Sequence, residues 1–286
     1  VASGVSIDTR TLAPGDLFVA LTGPHRDAHA FVAAALENGA AAAIVDRVPQ
    51  GMVERSALVL VDDTQVALER LGSAGRARSR ARVAGITGSV GKTGSKEALR
   101  HVLARQAPTH ASAASHNNQW GVPLSLARLP EAATYAVFEI GMNHAGEIRA
   151  LTAQVRPHVA LITAIAPAHL EFFSSIEAIA DAKSEIFESL EPGGVAVLNR
   201  DSEHFARMAQ HARRAGVTRI VGFGRHAEAD WRLDDLRLFP ECSEIVLHHG
   251  GSRLAYRLGV AGEHIAMNSL GVLAVADALG ADVVHA

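Results

Sequence analysis

The sequence predicts an α/β protein, in which a small N-terminal α/β domain precedes a larger domain with a mostly parallel sheet flanked by helices. Short apolar runs alternate with segments of helical spacing along the 286 residues. Hydrophobic residues make up 48% of the chain and aromatic residues only 5%. This composition is typical of parallel sheets covered by helices. From residue 83 onward, an apolar run, a glycine-rich turn and a helix follow one another, and this segment indicates the type of the second sheet.

The first α/β segment contains two loops of possible functional interest. Strands are predicted at residues 17–21, 42–45 and 58–61, with helices at residues 30–36 and from Asp63 toward residue 71. Residues 6–10 and 23–29 form polar loops that could bind an anionic ligand. Taken alone, they could equally be ordinary polar loops.

A short run of arginines favours a domain boundary near residue 82. Four arginines alternate with small residues at positions Arg76, Arg78, Arg80 and Arg82. A nucleic-acid patch is one interpretation, but no aromatic residues are interleaved with the arginines and the net charge is −3. A helix end and linker fits better, so we predict domains at residues 1–82 and 83–286 and no nucleic-acid partner.

The glycine-rich turn predicts a phosphate-binding loop. Residues 83–87 form an apolar strand, residues 88–91 the turn, and Lys92-Thr93 begins a helix. In such P-loops, backbone N–H groups and a lysine hold nucleotide phosphates, while the hydroxyl residue contacts Mg²⁺. The strict pattern wants glycine at position 86, where Ile86 stands, and Gly88 takes over that role. An ordinary strand-to-helix turn is the alternative.

Polar residues follow several predicted strands of the second domain. Glu139 lies at the carboxyl end of the otherwise apolar strand at residues 135–140, and His169 follows the strand at residues 159–165. Ligands of open parallel sheets bind beyond the carboxyl ends of the strands. Glu139 could therefore bind Mg²⁺ or orient water, or it could be a structural carboxylate.

Lys183 interrupts the apolar stripe of a helix that begins after a capping box at Ser174 and Glu177. It is either a side chain whose head reaches water or a modified or metal-facing lysine. The remaining predicted elements are strands at 195–198 and 219–222, a hairpin of residues 245–249 and 253–258, and a last helix that carries Asn268.

Three further features of the sequence indicate the cellular compartment in which the protein functions. One cysteine, Cys242, fits a reducing compartment, and no apolar run approaches the roughly 18 residues of a membrane span. The first residues carry no basic-plus-apolar signal. We therefore expect a cytoplasmic monomer without a membrane span.

Five motifs occur in a characteristic order and spacing. They are Thr87-Gly88-Ser89-Val90-Gly91-Lys92-Thr93, Asn117-Asn118-x-x-Gly121-x-Pro123, Glu139-Ile140-Gly141-Met142 with Gly146-Glu147-Ile148, Ala168-His169-Leu170-Glu171, and Ala182-Lys183-x-Glu185. Together they resemble the Mur ligase family of peptidoglycan synthesis, and residues 6–10 and 18–20 look like its N-terminal UDP-substrate domain. The resemblance covers nearly the whole chain, with departures from the family pattern at Ala28, Gly94, Ser115, Ala164, Ala166 and Ser184.

The resemblance implies a ligase that uses ATP and Mg²⁺, with a role for each motif residue. The implied catalytic residues are Lys92, Glu139, His169 and Lys183. Thr93 and Glu139 would hold one Mg²⁺, and His169 and a carbamylated Lys183 a second. The implied ATP-binding residues are Thr87, Gly88, Ser89, Val90, Gly91, Lys92, Thr93, Gly94, Asn199, Asp201 and Asn268. The implied UDP-substrate residues are Ser6, Asp8, Thr9, Arg10, Asp27, His29, Asn117 and Asn118.

The motifs around Asn117 and Glu139 resemble the branch that joins D-alanyl-D-alanine to UDP-MurNAc-tripeptide through an acyl phosphate. One alternative is a sister ligase or a folylpolyglutamate synthase-like enzyme that adds a single amino acid. Another is a nucleotide-binding partner protein without ligase turnover. The family also has a third, C-terminal domain that positions the attacking amine. Because this sequence ends at Ala286, we expect the chain alone to form little amide product.

Overall fold

A computed structural model describes residues 2–24, 26–52, 57–113, 116–167 and 172–286. Its strands are β1 (Gly4–Ser6), β2 (Asp16–Val19), β3 (Ala42–Val45), β4 (Leu58–Leu60), β5 (Arg82–Thr87), β6 (Thr109–Ala111), β7 (Tyr135–Glu139), β8 (Val159–Ile162), β9 (Val195–Asn199), β10 (Arg219–Gly224), β11 (Trp231–Leu238), β12 (Ser243–His249) and β13 (Ser252–Leu258). Its helices are α1 (Val32–Glu37), α2 (Thr64–Arg78), α3 (Lys92–Ala104), α4 (Gly121–Ala127), α5 (Glu147–Val155), α6 (Ile176–Ser184), α7 (Phe205–Arg214) and α8 (Glu263–Ala278).

The chain divides into two compact units, and the first contains residues 1–79 and 120–131. Its sheet has the order β1-β2-β3-β4, and all of the pairings are parallel. Successive strand residues face opposite sides: Val19 packs with Leu68 of α2, whereas Phe18 packs with Val32 of α1. Helices therefore cover both faces of this small sheet, as the composition predicts.

Helix α4 belongs to the first unit, although the predicted boundary near residue 82 assigns it to the second domain. Two glycines of α2 allow this packing. A Cβ at Gly72 would lie 2.8 Å from the Pro123 carbonyl oxygen, and a Cβ at Gly75 would overlap the Leu126 carbonyl. Arg78 also donates to the carbonyls of Ala127 and Leu129. It therefore binds one carbonyl group at the end of helix α4 and one just beyond it, where helical partners are absent.

The second unit contains residues 80–119 and 132–286. Its described strands form one sheet in the order β13-β12-β11-β10-β9-β8-β5-β7-β6. Pairings are parallel from β6 to β11, and β12 and β13 are antiparallel. The predicted α/β class, mostly parallel sheet and terminal hairpin are therefore confirmed.

The topology places strand β5 between β7 and β8, at the centre of this parallel arrangement. The carboxyl ends of β5, β7 and β8 therefore lie side by side, and each carries a predicted functional segment. Strand β8 ends at Ile162, earlier than the predicted residue 165. The next residue, Thr163, donates its hydroxyl hydrogen to the Val90 carbonyl oxygen in the loop after β5. No helix among the described residues is long and apolar enough to cross a membrane.

Candidate active site

The loop after β5 depends on two glycines. Gly88 has φ +152° and Gly91 has φ +85°, values that side chains rarely tolerate. A Cβ at Gly88 would overlap Thr163 Oγ1, and a Cβ at Gly91 would overlap Asn268 Nδ2. The loop therefore needs glycine at both positions for its backbone conformation and for the close approach of its neighbours. It leads directly into α3, whose first N–H groups have no intrahelical partners and can bind an anion.

Hydrogen bonds to the segment after β8 hold this loop in place. Thr163 Oγ1 donates to the Val90 carbonyl over 2.6 Å, and the Ser89 N–H donates to the Ala164 carbonyl over 2.8 Å. Ser89 Oγ donates to the Ala166 carbonyl and accepts from the Ala166 N–H. Because residues 164 and 166 use only backbone groups here, alanine at these two positions leaves these contacts intact.

Lys92 folds back over the loop. Its Nζ donates to the Gly88 carbonyl over 2.8 Å and lies 3.5 Å from the Ser89 carbonyl. Burial lowers the pKa of Lys92, while the negative charge of Glu139 acts in the opposite direction. The lysine thus places a positive charge above a glycine-rich turn, the arrangement that binds nucleotide phosphates.

Glu139 ends β7 with its side chain only 1% exposed. Its Oε2 accepts from Thr93 Oγ1 over 2.9 Å, and its Oε1 accepts from Asn117 Nδ2 over 2.8 Å. The Asn117 carbonyl in turn accepts from the Gly141 N–H over 2.8 Å. The structure thereby brings three predicted site residues together at the start of α3.

This carboxylate and hydroxyl fit a Mg²⁺ ion. Within the described residues, the Glu139 carboxylate forms no ion pair and accepts hydrogen bonds only from the neutral side chains of Thr93 and Asn117, while the charge of Lys92 acts on it from a longer distance. No three described histidine, cysteine, aspartate or glutamate side chains cluster to hold a metal by themselves. Mg²⁺ suits such a place because it usually takes one or two protein oxygens and completes its shell with water and phosphate oxygens.

Lys183 lies near the end of α6 with a side chain only 2% exposed, which favours a buried amine over one whose head extends into water. Burial, and then the charge of Lys92, lower the pKa of Lys183 to about 7. No described residue hydrogen-bonds to its Nζ. A large fraction of this amine is therefore neutral near pH 7, the form that reacts as a nucleophile. His169, its predicted partner at the second metal site, lies outside the described residues.

Glu185, part of the motif that contains Lys183, has a structural role that the sequence did not predict. Its Oε1 accepts from the Gly146 N–H over 2.8 Å, and its Oε2 accepts from the Arg149 N–H over 3.0 Å. A carboxylate at a helix N-terminus satisfies free N–H groups and complements the helix dipole. Glu185 thus fixes the start of α5 to the segment that follows Lys183.

The residues predicted to bind the adenosine part of ATP differ in how many hydrogen bonds they make to the rest of the protein. Asn268 of α8 lies against Gly91, and no described residue hydrogen-bonds to its amide. By contrast, the Asp201 carboxylate accepts from the N–H groups of Arg225 and His226. Asn199 Oδ1 accepts from the Asp201 N–H over 2.9 Å. Asn199 and Asp201 line a cavity of about 280 Å³, yet Asp201 mainly holds the turn after β10.

Residues near Gly94 leave open space beside the phosphate loop. A Cβ at Gly94 would meet no atom within 4 Å, so the first turn of α3 is uncovered at this position. Ser184, another departure from the family pattern, donates its hydroxyl hydrogen to the Ala180 carbonyl in the preceding turn of α6. Neither departure disturbs the backbone around it.

In the first unit, the predicted substrate residues of loop 6–10 bind one another. Arg10 Nε donates to Asp8 Oδ1 over 2.9 Å, and the Ser6 hydroxyl donates to the Asp8 carbonyl over 3.0 Å. The hydrogen bond from Arg10 lowers the pKa of Asp8 to about 2. Thr9 is partly exposed between them, and the Arg10 side chain is mostly exposed.

Asp27 and His29 form the second polar group of this unit. Asp27 Oδ1 accepts from the His29 N–H over 3.0 Å and lies 2.7 Å from His29 Nδ1. Arg47 forms ion pairs with Asp27 and Asp46, and Asp46 also contacts the buried His29 ring. A cavity of about 430 Å³ lies beside Asp27, His29 and Arg47. Sequence reasoning missed Asp46 and Arg47, although their place directly after strand β3 could have indicated them.

Three comparisons relate this geometry to known proteins. Residues 86–276 match the family model described as the Mur ligase middle domain. Over 279 residues, the chain is 34% identical to the UDP-N-acetylmuramoyl-tripeptide--D-alanyl-D-alanine ligase of Rickettsia prowazekii. The aligned region covers 98% of this chain and 62% of that protein.

Two solved structures are similar as well. The crystal structure of MurF from Acinetobacter baumannii has 36% identity and a TM-score of 0.88, covering 98% of this chain and 60% of the other. MurF ligase from Thermotoga maritima in complex with ADP has 27% identity and a TM-score of 0.84, covering 99% and 65%. The chain thus spans about three fifths of the length of these relatives.

Proposed function

We propose that this chain, which belongs to the Mur ligase family, forms part of a cytoplasmic ATP-dependent ligase that joins D-alanyl-D-alanine to UDP-MurNAc-tripeptide. The observation that carries the proposal is the contact of Thr93 with Glu139 at the base of a loop that Lys92 covers. In the proposal, residues 83–286 bind ATP, residues 1–82 bind the UDP-linked substrate, and the protein acts as a monomer.

The reaction consists of two transfers. The terminal phosphoryl group of ATP passes to the C-terminal carboxylate of the UDP-MurNAc-tripeptide, and ADP leaves. The amine of D-alanyl-D-alanine then attacks the acyl carbon, a C–N bond forms, the amine loses a proton, and phosphate leaves with the electrons of the broken C–O bond. Positioning and charge neutralisation carry most of the catalysis in such phosphoryl transfers.

Each residue of the nucleotide site has a separate task in this proposal. The loop N–H groups and Lys92 bind the phosphates, and Lys92 neutralises charge that develops during transfer. Thr93 and Glu139 would hold a Mg²⁺ ion, which supplies Lewis-acid stabilisation of the phosphate oxygens when bound. Lys183 as a carbamate, together with His169, would hold a second Mg²⁺ ion. Asn268 would contact adenine.

The test uses the complete natural protein with ATP, Mg²⁺ and UDP-MurNAc-tripeptide, and it measures ADP release and the mass of the product. We expect D-alanyl-D-alanine to raise ADP release and to yield the amide product, and D-alanine alone to yield none. Product formed from a single amino acid would favour a sister ligase. Nucleotide binding without any ligation would favour a partner protein that lacks turnover.

A further inference from the structure

A fully buried lysine on helix α3 has no task in the proposed reaction. Lys96 lies one turn after Lys92, and its side chain is 0% exposed. Its Nζ donates to the Ser112 carbonyl over 2.8 Å and lies 3.0 Å from Glu97 Oε1. Burying an ammonium group is costly, and an apolar side chain of similar length would fill this space without that cost. The charge and the donor at this position therefore need an explanation beyond packing.

The acceptor of Lys96 leads to the metal-binding carboxylate. Ser112 comes directly after strand β6 and is itself buried. Its N–H donates to the Val137 carbonyl over 3.1 Å, and its Oγ accepts from the Glu139 N–H over 3.3 Å. Ser112 therefore holds the last residues of β7 at two points. Lys96 fixes Ser112 from the side of helix α3.

Helix α3 and strand β7 are thus joined twice around one carboxylate. The direct link is the hydrogen bond from Thr93 to Glu139, and the indirect link runs from Lys96 through Ser112 to Glu139. Thr93 and Lys96 are three residues apart on the same rigid helix. The indirect link through Ser112 therefore helps to fix the position of the Glu139 backbone relative to the Thr93 hydroxyl. Contacts of this kind orient metal ligands and typically change metal affinity or activity by about 10–100-fold.

We propose that Lys96 is a positioning residue that holds Glu139 at the Mg²⁺ site through Ser112. The proposal rests on the proposed function, in which Thr93 and Glu139 hold the metal of the bound nucleotide. Lys96 touches neither nucleotide nor metal in this scheme. Its effect is therefore on the Mg²⁺ dependence of nucleotide binding rather than on nucleotide binding as such.

The test compares the complete natural protein with its Lys96→Met variant, which keeps the unbranched stem and loses the ammonium group. The probe is the nonhydrolysable ATP analogue AMP-PNP, whose affinity is measured by calorimetry over a range of Mg²⁺ concentrations and without Mg²⁺. We expect the half-maximal Mg²⁺ concentration to rise about tenfold in the variant. The affinity without Mg²⁺ is expected to stay the same.

Glu97→Gln is the matched control, because it removes the exposed partner of Lys96 and leaves the contact with Ser112 in place. We expect a normal Mg²⁺ dependence in this variant. Lys96→Met should also add little to Glu139→Gln, since both changes act through the same carboxylate. A Lys96→Met protein with a lower melting temperature and a normal Mg²⁺ dependence would show that the lysine is only structural.

If Lys96→Met does not fold, Ser112→Ala gives a second test, because it removes the hydroxyl that accepts from the Glu139 N–H. A folded Ser112→Ala protein with an unchanged Mg²⁺ dependence would overturn the positioning role. The unmodified protein separates the two proposals. If Mg²⁺ does not strengthen its AMP-PNP binding, the proposed function fails and this inference with it. If Glu139→Gln abolishes the Mg²⁺ effect while Lys96→Met preserves it, this inference fails alone.

Discussion

The predicted site residues of the two units differ in whether they form ion pairs and hydrogen bonds with one another. In the first unit, Asp8 pairs with Arg10, and Asp27 pairs with His29 and Arg47. In the second unit, several groups lack such pairing among the described residues. Lys183 Nζ and the Asn268 amide have no hydrogen-bond partner there, and Glu139 accepts only from neutral side chains and forms no ion pair.

This difference indicates two kinds of polar site. Charges that bind one another shape a loop and contribute to its stability, whereas buried polar groups without partners cost stability and are typical of functional sites. We therefore expect substitutions at the proposed nucleotide site to change chemistry while the fold persists. Substitutions in the first unit should act mainly through the shape and stability of its loops.

The largest effect is expected from Lys92→Ala, which removes the positive charge over the phosphate loop. Lys92 donates only to carbonyls of its own loop, so the fold should survive. We expect ATP turnover by the complete natural protein to fall by at least about 100-fold. ADP release and circular dichroism measure the two effects. Arg100→Ala on the exposed side of the same helix is the control and should keep normal turnover.

Near-normal turnover in Lys92→Ala would contradict the view that the polar residues of the second unit serve chemistry whereas those of the first unit serve stability. It would mean that the covered glycine turn is an ordinary strand-to-helix connection. Loss of turnover together with loss of the folded state would show that Lys92 is a structural residue. It would contradict the expectation that the fold persists when this site is changed.

The next effect concerns Lys183, whose buried amine has a pKa lowered to about 7. We expect Lys183→Ala to lose activity by roughly 10–100-fold, because a carbamate at this position would supply oxygen ligands to a metal. Formate or acetate should restore part of the activity, since a small carboxylate can occupy the emptied space. Activity is measured with and without these anions, and Lys92→Ala serves as a variant that they should not rescue. The absence of a carbamate signal from Lys183 in the ¹³C NMR spectrum of the active protein in ¹³C-labelled bicarbonate buffer would contradict the prediction.

Much of the second sheet can be predicted because its signals are local. The phosphate loop needs glycines and a following Lys-Thr within a few residues, and Glu139 ends an otherwise apolar strand. Strand β11 is harder to recognise, because its sequence WRLDDLRL is polar over the half that is mostly exposed. Its place in the sheet depends on antiparallel pairing with β12, and the polar pattern of β11 does not by itself indicate that pairing.

The contacts that hold the site together were beyond sequence reasoning. Lys96 is a charged residue on an amphipathic helix, and nothing local distinguishes it from a solvent-exposed lysine. The packing of α4 on Gly72 and Gly75 likewise depends on how two helices approach, so the boundary of the first unit could not be drawn from residue 82 alone. Arg47 pairs with Asp27, which lies twenty residues earlier in the chain.

The smallest effect is expected from Asp8→Asn, which tests whether the first unit's pairs act through charge. The hydrogen bond from Arg10 lowers the pKa of Asp8 from 3.8 to about 2. A lowered pKa means that the folded state favours the ionised carboxylate, so its stabilisation is present above pH 4 and is lost as the pH falls toward 2. Because the Arg10 side chain is mostly exposed, solvent screens the pair, and Asp8→Asn should lower the melting temperature at pH 7 by no more than about 3 °C. The difference between the variant and the unmodified chain should shrink strongly as the pH falls through 2. A difference of the same size at pH 2 and pH 7, measured by thermal unfolding, would show that Asp8 shapes the loop through its geometry and not through its charge.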